Sequence, residues 1–117
     1  IAEGLNFYLN ALNKGHLNPI VMNNAAWQLA TNKDQRIRNG DLALKWAQKA
    51  LQLTKGNQAT YFDTLAAGYA EKGMFAEALR MVDMGLEKAK VSGDSLTKAS
   101  LLKAKAFYLR NRAFREE

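Results

Sequence analysis

Apolar positions recur along the chain at three- and four-residue intervals, the spacing of a helix that buries one face. Leu5, Tyr8, Leu9 and Leu12 share one side of a first helix over about 2–14. Lys14-Gly15 closes it, since a basic residue and a glycine suit a helix C-terminus. A second helix starts at Asn18-Pro19 and runs to about Thr31. Asn caps the free amides there, and Pro fits the first helical position because its missing N–H would be unpaired anyway. A loop then runs through the turn dipeptide Asn39-Gly40. The third helix covers about 41–54, capped by Asp41, with Leu42, Trp46, Ala50 and Leu53 as its face. The fourth covers about 58–72, between Lys55-Gly56-Asn57 and Lys72-Gly73, and the fifth about 75–90. The sixth follows Ser92-Gly93-Asp94, with Asp94 or Ser95 as cap, and reaches about Arg110. Every break is short, and short breaks force neighbouring helices to lie antiparallel. The expectation is an all-α row of helical hairpins, about six helices with no strand.

Internal repetition shapes that row. One segment reads Phe62-Asp63-Thr64-Leu65-Ala66-Ala67-Gly68-Tyr69, then Gly73, Phe75, Ala78, Val82 and Gly85. Leu65 and Tyr69, four apart, share a face. Ala66 and Ala78, twelve apart across a tight turn, let two helices approach closely, and Phe75 plugs the turn. A second copy has Met22, Ala25-Ala26 and Leu29 in the first helix and Ala43, Ala47 and Ala50 in the second. Its small residues Ala26 and Ala43 are seventeen apart, and the extra length falls in the loop Lys33–Gly40. Downstream, Tyr108, Arg112 and Phe114 repeat the spacing of Tyr69, Gly73 and Phe75, and Leu101 echoes Phe62. Upstream, Tyr8 and Ala11-Leu12 fit a second helix without its partner.

This pattern resembles the tetratricopeptide repeat, W-x2-L-G-x2-Y followed by A-x3-F. Phe62 takes the Trp place, Leu65-Ala66 the Leu-Gly place, Tyr69 matches, Ala78 matches and Val82 replaces Phe; the closing Pro is absent. The long turn with Arg38-Asn39-Gly40 is similar to repeats near the ends of larger bacterial proteins. The resemblance implies a right-handed superhelix of stacked hairpins. It divides the chain into 1–17, the second helix of a truncated repeat; 18–57, a repeat with a long turn; 58–92, a second repeat; and 93–117, a capping helix and tail. The runner-up is another antiparallel bundle with accidental spacing.

Composition narrows the chemistry. Of 117 residues 48% are apolar, enough for a core. There is no cysteine, which removes disulfides and thiolate sites and is compatible with the cytosol. No apolar run approaches the ~20 residues that span a bilayer. The chain opens on Ile1 rather than Met, so it reads as a piece of a longer protein. Lone His16 beside Gly15 reads as surface, no metal-ligand spacing is present, and the glycines form no phosphate loop. Ser92, Ser95 and Ser100 lack a basic partner, so the reading is a non-enzyme with no cofactor. The net charge of +6 gathers in Lys33, Arg36, Arg38 and in Lys98, Lys103, Lys105, Arg110, Arg112, Arg115. That balance either keeps a helix surface solvated or favours an acidic partner.

The family's first helices line a concave groove. Carried over, the groove residues are Asn23, Asn24, Trp27 and Thr31; Thr60, Asp63, Thr64, Ala67 and Glu71; and Ala99, Leu102, Lys103, Ala106 and Arg110. Trp46 reads as core. Of the clamp by which some family members hold a C-terminal carboxylate, only Asn24 and Lys103 fit, and Asp63 and Glu71 oppose it. Three functions follow: a scaffold that binds a protein or peptide in this groove, a homo-oligomer joined through an apolar edge at Leu5, Tyr8 and Leu9, and a basic helical array for nucleic acid.

Overall fold

The computed structural model describes residues 2–15 and 18–115, and of residues 2–5, 7 and 8 the backbone alone. Among the described residues the chain is all-helical: α1 (Ala2–Asn13), α2 (Pro19–Thr31), α3 (Gly40–Leu53), α4 (Ala59–Glu71), α5 (Phe75–Ser92) and α6 (Ser95–Tyr108).

Local chemistry sets these ends. The Asn18 side chain accepts the Ile20 N–H at 2.8 Å, ahead of Pro19. The Asp94 carboxylate accepts the Thr97 N–H at 3.0 Å and opens α6. At α3 the cap is Asn39, not the expected Asp41: its side chain accepts the Leu42 N–H at 3.1 Å. Asp41 lies in the first turn instead, where its charge suits the helix dipole, and pairs with Lys72 at 2.6 Å. Glycine stops α4 and α5: Gly73 and Gly93 take φ of 77° and 76°, and the next residue's N–H reaches back five residues, Met74 to the Tyr69 carbonyl and Asp94 to that of Ala89. α6 ends the same way, two residues before the expected Arg110, with Asn111 left-handed at φ 56° and Arg112 N–H on the Phe107 carbonyl at 3.0 Å. That reversal falls one residue ahead of the position that aligns with Gly73.

The long turn between α2 and α3 is built from hydrogen bonds. Asn32 accepts the Asp34 N–H at 2.8 Å, and Asp34 accepts the Arg36 N–H at 3.0 Å and pairs with its guanidinium. Arg38 donates to the carbonyls of Asn32 and Lys33 at 2.7 and 3.1 Å and reaches the Glu71 carboxylate at 3.2 Å. Asn39 N–H ties the turn to the Leu29 carbonyl at 2.8 Å.

Each helix packs on the next, and two longer pairings join α2 to α4 and α4 to α6. α3 and α5 do not meet, nor do α2 and α6. α4 therefore runs through the centre, which is why nearly all of it is buried. One core cluster centres on Phe62, Leu65, Val82, Leu101 and Tyr108; a second joins Leu12, Met22, Leu29 and Tyr61. Small residues set the helix spacing. Ala66 and Ala78 are fully buried, and a Cβ on Gly85 would lie 3.0 Å from both Leu101 Cδ1 and Phe62 Cβ. The buried face of α3 is Ala43, Leu44, Ala47 and Ala50, so the small residues that the repeat spacing places there, Ala50 of the expected face among them, are buried, whereas Leu42 and Trp46 are half-buried and Leu53 is exposed. Trp46 is half-buried and packs against both clusters. Leu9 packs, half-buried, on the second cluster. Leu5 and Tyr8 of the expected assembly edge, and His16, lie outside the described side chains.

Candidate partner-binding groove

Because α2 and α6 both pack on α4 and not on each other, the three enclose an open groove. It consists of two adjoining clefts. The first, about 300 Å³, takes Asn23, Asn24 and Trp27 from α2, Thr60, Asp63 and Thr64 from α4, and Leu96, Thr97 and Ser100 from α6. The second, about 540 Å³, shares Trp27 and Ser100 and is completed by Ala99, Lys103, Phe107, Phe114 and Arg115.

Six residues expected on the groove thus meet in the first cleft, and Lys103 and Ala99 line the second. Others stand elsewhere. Thr31 is fully buried, and its hydroxyl donates to the Trp27 carbonyl at 2.7 Å. Ala67 belongs to the second core cluster, because α4 is covered on most sides. Glu71 lies at the far end of α4, between Arg38 at 3.2 Å and Arg115 at 2.8 Å. Leu102, Ala106 and Arg110 are exposed and line neither cleft.

Asp63 forms part of the floor and is 5% exposed. The Ser100 hydroxyl donates to its Oδ2 at 2.6 Å. Its Oδ1 is buried with no partner among the described residues, as is Asn23 Oδ1. Burial pushes the Asp63 carboxyl up to about 6, against the opposing pull of the Ser100 hydrogen bond. The Tyr108 hydroxyl, beneath α4, is raised by burial and then by the nearby Asp63 charge. One wall of the groove is aromatic: the Phe114 ring lies 5.8 Å from that of Trp27, tilted by 43°, and edge-on at 5.6 Å from Phe107, and Lys103 Nζ lies 5.6 Å from its ring centre. At the opposite mouth Leu96 is 85% exposed, an apolar side chain presented to solvent.

The sequence reading missed Leu96, Thr97, Ser100, Phe107, Phe114 and Arg115. A signal existed in α6: Leu101, Ala104 and Tyr108 are its buried stripe, and Leu96, Ser100, Lys103 and Phe107 recur beside it at four- and three-residue steps. The arrangement offers neutral hydrogen-bonding groups, a buried acid and an aromatic wall, which suits holding a chain segment by its side chains and amides. Among the described residues no three side chains could hold a metal, and no helix is long and apolar enough to cross a membrane. Compared with protein-family models, curated proteins and solved structures, the chain finds no match.

Proposed function

We propose that this chain is a tetratricopeptide-type scaffold domain that binds a protein or peptide in the groove between α2, α4 and α6, without catalysis. The observation that carries the reading is the open cleft over α4, where Asn23, Asn24, Trp27, Thr60, Asp63 and Thr64 come together from two helices. The helix pairings fit stacked hairpins, with α2, α4 and α6 as one row and α3 and α5 behind it. Mixed polar and aromatic lining, with an exposed Leu96 at the rim, is the composition of a protein-binding surface. A nucleic-acid ligand fits less well, because the acid Asp63 stands in the groove floor and Arg115, on its wall, is already paired with Glu71.

The test is affinity capture from the source cell with a variant altered at the rim. Asn24 and Lys103 are exposed, so Asn24→Arg with Lys103→Glu changes the groove's charge without disturbing the core. A charge reversal at the buried Asp63 would confuse loss of binding with loss of fold. A partner held by wild type in the presence of nuclease and released by the folded rim variant is the expected result. Equal capture by both would overturn the proposal.

A further inference from the structure

We propose that the aromatic end of the groove is a docking slot for a short peptide segment in which an aromatic residue precedes a basic one, and that the chain's own Phe114-Arg115 occupies this slot. The inference rests on the groove reading above and names its ligand chemistry.

The tail reaches the slot by design of the backbone. α6 stops at Tyr108, Asn111 turns left-handed, and Phe114 and Arg115 line the second cleft. What receives them lies on three other stretches of chain. Phe114 meets Trp27 of α2 and Phe107 of α6, and Arg115 meets Glu71 of α4 at 2.8 Å. Glu71 is oriented for this by Arg38, whose guanidinium is itself fixed on two carbonyls of the long turn.

The grip on residues 113–115 that the described residues show is made by side chains. Among the described residues no backbone group of Ala113, Phe114 or Arg115 bonds to any helix; the Phe114 carbonyl accepts only from its neighbour's guanidinium, at 3.1 Å. A ring in an aromatic slot and a guanidinium on a carboxylate are the anchors of a bound peptide. Phe114 and Arg115 are half-buried, and Phe114 packs with Ala113 on the edge of the cluster that holds the fully buried Leu101 and Tyr108. The order of the two residues matters: reversing them sets the cation against Lys103 and the ring against Glu71. An acidic segment would bring a carboxylate onto Glu71.

The experiment uses the whole chain and a fluorescent peptide copying residues Leu109–Arg115, read by anisotropy. The variant Phe114→Ala with Arg115→Gln vacates the slot. It is expected to bind the peptide about ten-fold more tightly than wild type, and to lose it when Trp27→Ala is added. A control peptide ending in Ala-Glu should not bind. If the double variant does not fold, Arg115→Gln alone, which loosens the tail and keeps the ring, should still gain about three-fold. A folded variant with no gain, or equal binding of both peptides, overturns the inference. Should the peptide fail while the rim exchange still releases the partner, the slot falls and the groove stands. Peptide binding with partner capture untouched by the rim exchange means the reverse.

Discussion

Replacing Asp63 with Asn exchanges one oxygen for an amide nitrogen in the floor of the groove, at a side chain 5% exposed. The carboxyl titrates near 3.8 in an open chain and at about 6 in the fold, because burial penalises its charged form. Between those values the folded state holds a proton that the unfolded state has released. The stability this group contributes is therefore fully present below 3.8 and is lost as pH rises through 6. The interval from 3.8 to about 6 corresponds to about 3 kcal/mol. Asn carries no charge and escapes that loss, while the Ser100 hydroxyl, now 2.6 Å from Oδ2, can pair with either atom of an amide. The variant should be more stable than wild type by up to about 3 kcal/mol at about pH 7.5 and by less than about 1 kcal/mol at about pH 4. Urea denaturation of both proteins at the two pH values measures this. Asp34, held down at about 2 by Arg36, works in the opposite sense as pH falls, but it is common to both proteins and cancels in the difference. A gap that does not change with pH, or a variant less stable at the higher pH, would refute the reasoning.

Three further outcomes follow from particular contacts. Gly85→Ala places a methyl 3.0 Å from Phe62 Cβ, which cannot move without its backbone, so the variant should lose about 1–3 kcal/mol by urea denaturation. Asn39→Ala removes the cap of α3 and should cost about 1 kcal/mol in the same assay, whereas Asp41→Ala should cost less. Glu71→Gln takes the charge from between Arg38 and Arg115 and should cost about 2 kcal/mol, with the gap narrowing as salt is raised.

The helices were legible because their signals are local. Asn18-Pro19, Asp94 and Gly73 act through the few residues on either side, and all stand where the sequence places a helix boundary. Asn39 was harder: beside Gly40 it reads as a turn, yet the same side chain caps the helix that follows. Larger errors came from packing. The helical spacing puts Leu53 on the same face of α3 as Ala50, but only Ala50 is buried, together with the Ala43 and Ala47 of the repeat pattern, because neighbouring helices press close on the small residues. Its register on α4 places Ala67 toward the groove, but four helices cover α4 and bury it in the second cluster. The tail was the least legible. Its reversal uses Asn111, which no glycine announces, and its anchors Trp27 and Glu71 are far away in sequence. Asn23, Asn24, Trp27, Thr60 and Asp63 of α2 and α4 line one cleft, and their meeting was legible because they lie beside the small residues that mark the hairpin contact.

The most direct test of the scaffold reading is capture of a partner by the intact domain against its rim variant, Asn24→Arg with Lys103→Glu, after both show the same helix content and melting. The account predicts one nuclease-resistant partner on wild type and its loss from the variant. A partner retained equally by both would contradict it and move the binding surface away from α2, α4 and α6.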